Sequence, residues 1–121
     1  MSQSLDQKRA SYAWSCVKGV TKDYEDLAKA APSLIMSNGL MQTLAFLKSK
    51  GKEHHNDLLK HILGWLVKSE AACTFLSGSE FEKVMDDLTN KASSEQYLHA
   101  TREALAILKW IRHLAAAKKG A

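Results

Sequence analysis

The sequence predicts an all-α protein, a compact single-domain bundle of about five to six helices. Alanine and leucine, 16 of each, far outnumber the 4 valines, 4 isoleucines and 5 threonines, a balance that favours helix over strand. One proline and six glycines supply too few turn markers for a many-stranded fold. Apolar residues recur at helical spacing along most of the chain. The 121 residues suit one domain spanning 1–121, and a chain of this size buries roughly two-thirds of its unfolded surface. With 45% hydrophobic and 25% charged residues, disorder is excluded.

The first helix opens on a capping box, Ser4 with Gln7, and Asp6 complements the helix dipole in its first turn. Leu5, Tyr12, Ala13, Cys16, Val20, Tyr24, Leu27 and Ala31 fall on one face, so the pattern predicts a helix to about Ala31. Pro32 suits the first position of a second helix. Residues 34–50 are apolar on most sides, as in a central buried helix. Ser37-Asn38-Gly39 interrupts them as a kink, a break or a close helix contact. Lys48, Lys50 and Gly51 form a C-terminal signature.

A third helix is expected from about Lys52 to Ser69, with Leu58, Leu59, Ile62, Leu63 and Leu66 inward. Residues 71–76 allow a short helical turn. Ser79 with Glu82 reads as a capping box for a fourth helix carrying Phe81, Val84, Met85 and Leu88. Ser93 with Gln96 caps the last helix, whose inner face holds Ala100, Ala104, Ile107, Leu108, Ile111, Leu114 and Ala115. Residues 118–121 are expected to form a frayed basic tail.

Several function classes find no support. The opening residues lack a basic segment followed by an apolar one, so no secretory signal is expected. Apolar runs are too short for a membrane span. Cys16 and Cys73 read as reduced core residues of a cytoplasmic protein. His54, Asp57 and His61 share a helix face, but nothing else in register completes a metal site, and Asp57–His61 reads as a surface pair with His55 at the boundary. Asp86-Asp87 and Glu80/Glu82 read as a solvated acidic face. No nucleophile elbow, P-loop or dinucleotide fingerprint occurs. No catalytic residue, metal or cofactor is therefore expected.

The formal charge of +4 is unevenly placed. Residues 96–121 carry five basic groups and one acidic group, whereas residues 61–95 carry three and six. Such a domain suits head-to-tail stacking on copies of itself, although a plain solvated surface gives the same pattern. Arg102, Lys109 and Arg112 run along one side of the last helix, offset only by Glu103. Lys18, Lys22 and Lys29 form a similar stripe on the first helix, partly neutralised by Glu25 and Asp26. Lys18, Lys22, Arg102, Lys109 and Arg112 are the candidate nucleic-acid-binding residues, because cations repeated along a helix track a phosphate backbone. Trp14 and Trp110 lie at the flanks of their apolar faces and are candidates for half exposure. Arg9 sits among buried-face residues of the first helix, so it requires a carboxylate or carbonyl partner and reads as a structural buried charge.

Four stretches carry a family resemblance: Gln7-Lys8-Arg9-Ala10-Ser11-Tyr12-Ala13; Pro32-Ser33-Leu34-Ile35-Met36-Ser37-Asn38-Gly39-Leu40 with Ala45-Phe46-Leu47; Leu63-Gly64-Trp65-Leu66; and Tyr97-Leu98-His99-Ala100-Thr101-Arg102-Glu103-Ala104-Leu105 leading to Leu108-Lys109-Trp110-Ile111-Arg112. In this order they resemble the small all-helical subunit of the type III-B, Cmr-type CRISPR effector complex. The resemblance implies a non-catalytic part of an RNA-guided antiviral assembly. Its partners would be the other effector subunits, copies of itself stacked in a short filament, and the guide and target RNA, with no membrane. A helical protein-interaction adaptor without direct RNA contact is the alternative.

Overall fold

The computed structural model describes residues 2–119, the last of these by its backbone only. Six α-helices run in the order α1 (Leu5–Cys16), α2 (Lys22–Asn38), α3 (Leu40–Lys50), α4 (Glu53–Leu66), α5 (Phe81–Asp86) and α6 (Ser94–Lys119). No strand occurs among the described residues, and none of their helices is long and apolar enough to cross a membrane.

Both outer capping boxes form. The Ser4 hydroxyl accepts from the Gln7 N–H at 3.1 Å and the Gln7 carbonyl oxygen accepts from the Ser4 N–H at 2.8 Å. Ser93 and Gln96 make the same exchange at 3.1 and 2.9 Å. Each uses only residues three apart, so tertiary packing need not assist.

The single helix expected over residues 5–31 is two. The first ends at Cys16, the chain turns through Gly19 at φ +70°, and Thr21 caps the second by accepting from the Tyr24 N–H at 3.2 Å. Apolar periodicity passes through the break because Ala13, Val17, Tyr24 and Ala28 all join one core. Pro32 does not open a helix but lies inside α2. Its missing N–H denies the Ala28 carbonyl its usual partner four residues on, while Ala28, Ala31 and Ile35 remain fully packed. Burial of that face holds the helix through a residue that propensity alone would place at an end.

Gly39 resolves the three options for Ser37-Asn38-Gly39 as a break between helices. At φ +89° and ψ 162° it occupies backbone space that a side chain disfavours. The break also corrects the expectation that residues 34–50 are buried on most sides. Met36 on α2 is 75% exposed and Phe46 on α3 is partly so, because each helix turns its own face inward.

In α4, His55, Leu58, Leu59, Ile62, Leu63, Trp65 and Leu66 are buried. A 3₁₀ turn follows at Ser69–Ala71. The Ser79–Glu82 capping box does not form: α5 begins after Glu80 with no side-chain cap. Asp87 organises this region instead. Buried in a π-helical turn (Asp87–Lys91), it accepts from the Ser77 N–H and hydroxyl at 2.8 and 2.9 Å and pairs with Lys91 at 3.1 Å. These bonds, the Ser77 N–H foremost, hold its carboxyl below the usual range. Asp87 is therefore no part of a solvated acidic face.

The longest helix, α6, packs against α1, α2 and α4, and α3 closes the far side against α2 and α4. Asp6 meets Trp110 and Trp14 meets Lys118, so α1 and α6 run in the same direction. The Tyr97 hydroxyl accepts from the Met41 N–H just beyond α2, and Lys22 borders the same crevice as Lys118, so α2 runs opposite to α6. The helix expected to fray from Lys118 continues through Lys119; Gly120 and Ala121 lie outside the described residues.

Candidate nucleic-acid interface

The last helix has two chemically distinct faces. Its inner face places Ala100, Ala104, Ile107, Leu108, Ile111 and Ala115 in the core, and its outer face exposes Arg102, Lys109 and Arg112. Helix geometry puts Arg102 and Lys109 almost in line, about 10 Å apart along the axis. Arg112 lies about 5 Å further and roughly 60–80° around the helix, towards the α2 side. The three cations form a line with one offset member.

Glu103 is the only acidic residue between 96 and 119, and it faces inward. Its carboxylate accepts from Arg9 Nη2 at 2.7 Å, Arg9 Nε at 3.3 Å and Trp65 Nε1 at 3.0 Å. The glutamate expected to offset the basic stripe is buried, so it does not share the cations' solvent-facing side. Arg9 thus has a carboxylate partner, with Asp6 3.5 Å away on its own helix. The hydrogen bonds and charge of Glu103 raise the guanidinium pKa above its ordinary value, against the burial that opposes them. Trp65, 1% exposed, donates into the same carboxylate and ties α4 to α1 and α6.

Lys18 stands exposed in the α1–α2 turn. Lys22 opens α2, but its ammonium is 2.9 Å from Asp26 and 4.0 Å from Glu25. Lys22 is therefore partly neutralised in place, unlike the α6 cations, for which no ion pair forms among the described residues. Lys22 borders a crevice with Lys118 near the C-terminal end of α6, and Lys18 lines a neighbouring hollow with Glu53, His54, Asp57 and His61 of α4, neither of them beside Arg102. The structure thus divides the five candidates into an α6 line and a cluster at one end of the bundle.

Trp14 and Trp110 differ. Trp110 is half-buried and donates to Asp6 at 2.9 Å. Trp14 is 48% exposed, and the Lys118 ammonium lies 4.8 Å from its ring centroid. Sequence periodicity could not pair residues 104 positions apart.

The histidine face of α4 lines a hollow, with His54, Asp57 and His61 facing the α1–α2 turn. Among the described residues no group of three His, Cys, Asp or Glu has metal-holding geometry. His54 stacks on His55 with centroids 4.2 Å apart, and His55 is buried against Phe46. His61 is not half of a surface pair with Asp57. It is half-buried, and its Nδ1 lies 2.7 Å from the Tyr24 hydroxyl while its carbonyl accepts from the Tyr12 hydroxyl at 2.6 Å. Desolvation lowers its pKa, partly opposed by Asp57. Both cysteines are free thiols, and burial pushes Cys73 up to about 11 and raises Cys16. At Cys16 burial outweighs the lowering effect of Lys68, so neither thiol is held in the thiolate form of an activated nucleophile.

Sequence reading missed the small residue that lets Tyr12 dock. A Cβ on Gly64 would sit 2.5 Å from the Tyr12 hydroxyl oxygen. The closeness of Gly64 to Trp65 in the sequence was the available signal, but the tyrosine it accommodates lies on another helix.

Known proteins resemble this chain in sequence and overall fold. The family described as CRISPR-associated protein (Cas_Cmr5) matches residues 5–118. A CRISPR system Cmr subunit Cmr5 from Thermus thermophilus is 33% identical over 120 residues, covering 96% of this chain and 93% of the relative. Its counterpart from Thermotoga maritima is 31% identical over 114 residues, covering 91% and 81%. The crystal structure of a CRISPR-associated Cmr5 family protein, also from Thermus thermophilus, superposes with a TM-score of 0.78 at 29% identity, covering 96% of this chain and 97% of that one. Agreement in sequence, length and helical architecture shows that this chain belongs to the Cmr5 family of CRISPR-associated proteins.

Proposed function

We propose that this chain is a non-catalytic small subunit of a Cmr-type, type III-B CRISPR effector complex in the cytoplasm, and that it contacts the guide–target RNA through the outer face of α6. The relatives named as Cmr subunits support membership of the assembly. The observation that carries RNA contact is the inward turn of Glu103, which leaves Arg102, Lys109 and Arg112 without a carboxylate on their face. A guide–target duplex is A-form and is held through shape and backbone, for which spaced cations suffice. Cleavage then belongs to other subunits, consistent with the raised thiols and the hydrogen-bonded His61. The uneven charge, acidic over residues 61–95 and basic over 96–121, supports stacking of copies through complementary surfaces.

Arg102→Glu combined with Lys109→Glu tests this reading. The variant should retain its helical circular dichroism and join the complex, while RNA binding by that complex weakens. Each phosphate contact removed should lower the slope of log affinity against log salt by about one. Unchanged binding across the salt series removes these residues from the RNA face. Failure to assemble with RNA affinity intact would favour a protein-interaction adaptor.

A further inference from the structure

We infer that Trp14, with Lys118 on its ring, is a stacking site for an unpaired RNA base at the C-terminal end of α6. The inference rests on the nucleic-acid reading above, but it concerns a different contact: a base face instead of a phosphate. Trp14 keeps 48% of its surface exposed although it lies on the helix that packs along α6. The Lys118 ammonium sits 4.8 Å from the ring centroid. A cation on one face of an indole leaves the other face available to a planar partner. Bound cations and aromatic planes together are the elements of single-strand recognition, in which every base offers a π-face.

The surroundings favour a base over an apolar protein partner. Ser11, Ser15 and Lys18, the exposed neighbours of Trp14 on and just beyond its helix, are all polar. The other exposed large apolar residues lie elsewhere. Leu5 is nine positions back, half a turn around α1 from Trp14. Leu98 is about 30 Å from Lys118 along α6, and Met36 lies at the Tyr97 end of α2. Trp14 is thus an exposed aromatic with a cation on its ring, set apart from the other large apolar side chains that a protein-docking patch would bring together. Lys118 follows Lys109 by nine positions, half a turn around α6, so the Trp14 site is a contact separate from the Arg102–Lys109 line, and an unpaired base has the free face that a paired one lacks.

The test uses the full chain at low salt with two probes, a single-stranded oligouridylate of about ten nucleotides and a blunt RNA duplex. Single-stranded RNA should quench part of the indole fluorescence, and Trp14→Ala should remove that quenching. Trp14→Ala should weaken single-strand binding roughly five- to 150-fold, the range expected for one stacked base. Trp14→Phe should recover most of it, and duplex binding should stay within about twofold in both variants. Single-strand affinity and quenching unchanged in Trp14→Ala would overturn the inference while leaving the α6 contact standing. Absence of binding to either probe would overturn the nucleic-acid reading and this inference together. Unchanged RNA binding with impaired entry into the effector complex would reassign Trp14 to a protein contact.

Discussion

Gly64→Ala should destabilise this protein, although alanine normally strengthens a helix interior. Gly64 lies within α4, where replacing glycine by alanine ordinarily gains about 1 kcal/mol. Here the new methyl would lie 2.5 Å from the Tyr12 hydroxyl oxygen and 3.6 Å from the ring carbon that bears it. The oxygen cannot yield freely, because it donates to the His61 carbonyl at 2.6 Å, and its ring packs 5.5 Å from that of Trp65. Displacing it loses a hydrogen bond worth about 1 kcal/mol and overpacks the α1–α4 contact by roughly 1–3 kcal/mol. Set against the helix gain, the net loss is about 1–3 kcal/mol, a fall in Tm of several degrees for a domain of this length. Tyr12→Phe alone should cost about 1 kcal/mol. In that background the closest remaining ring atom is at ordinary contact distance, so Gly64→Ala should become stabilising by about 0.5–1 kcal/mol. The coupling between the two sites is then roughly 1.5–4 kcal/mol. Urea unfolding of the four variants, followed by fluorescence and circular dichroism, measures it. An effect of Gly64→Ala equal in both backgrounds would refute the argument that the Tyr12 hydroxyl excludes a side chain at residue 64.

Two further outcomes follow from the buried polar groups. Glu103→Ala should cost about 3–5 kcal/mol in urea unfolding, because it strands the Arg9 guanidinium beside a buried indole N–H; Arg9→Met with Glu103→Leu should cost far less than that single change, and an equal loss would deny that the stranded charge is the cause. Stability should also fall as pH drops from about 7 towards 5, since desolvation holds His55 and His61 below their ordinary range. A folded-state pKa below the unfolded one means the unfolded chain binds more protons in that window, so stability is full above the unfolded value and is lost as pH falls through the folded one. His55→Leu should flatten the urea midpoint against pH, and an unchanged slope would exclude His55 as a contributor.

Local signals are legible in the sequence, and long-range ones are not. The Ser4–Gln7 and Ser93–Gln96 boxes form as their spacing requires, because both partners lie within one turn. Ser79–Glu82 has the same spacing and fails: the chain before α5 is instead anchored by Ser77 on Asp87, ten residues away. The α1–α2 break escapes the apolar period because both helices feed one core, while its marks, Gly19 and Thr21, are short-range features that the period overrides. Arg9 can be marked as needing a carboxylate, but Glu103 counts with the outer charges because periodicity gives a direction around one helix and no knowledge of its neighbour. Lys118 reads as tail because its ring partner is 104 residues earlier.

The inward turn of Glu103 joins stability to function without making them compete. On the inner side its charge is matched by Arg9 and its remaining acceptor capacity by Trp65, so the helix gains a fixed orientation. On the outer side its absence leaves cations that need no internal partner. Arg102 and Lys109 are about 10 Å apart, slightly beyond the Debye length of about 8 Å at physiological salt. They repel one another weakly, which allows the folded helix to carry both at little cost. In the proposed RNA contact they meet phosphates nearly independently, so the salt dependence should grow residue by residue. Charge reversal at these positions should therefore separate cleanly from folding, whereas any change at Glu103 should perturb both faces at once.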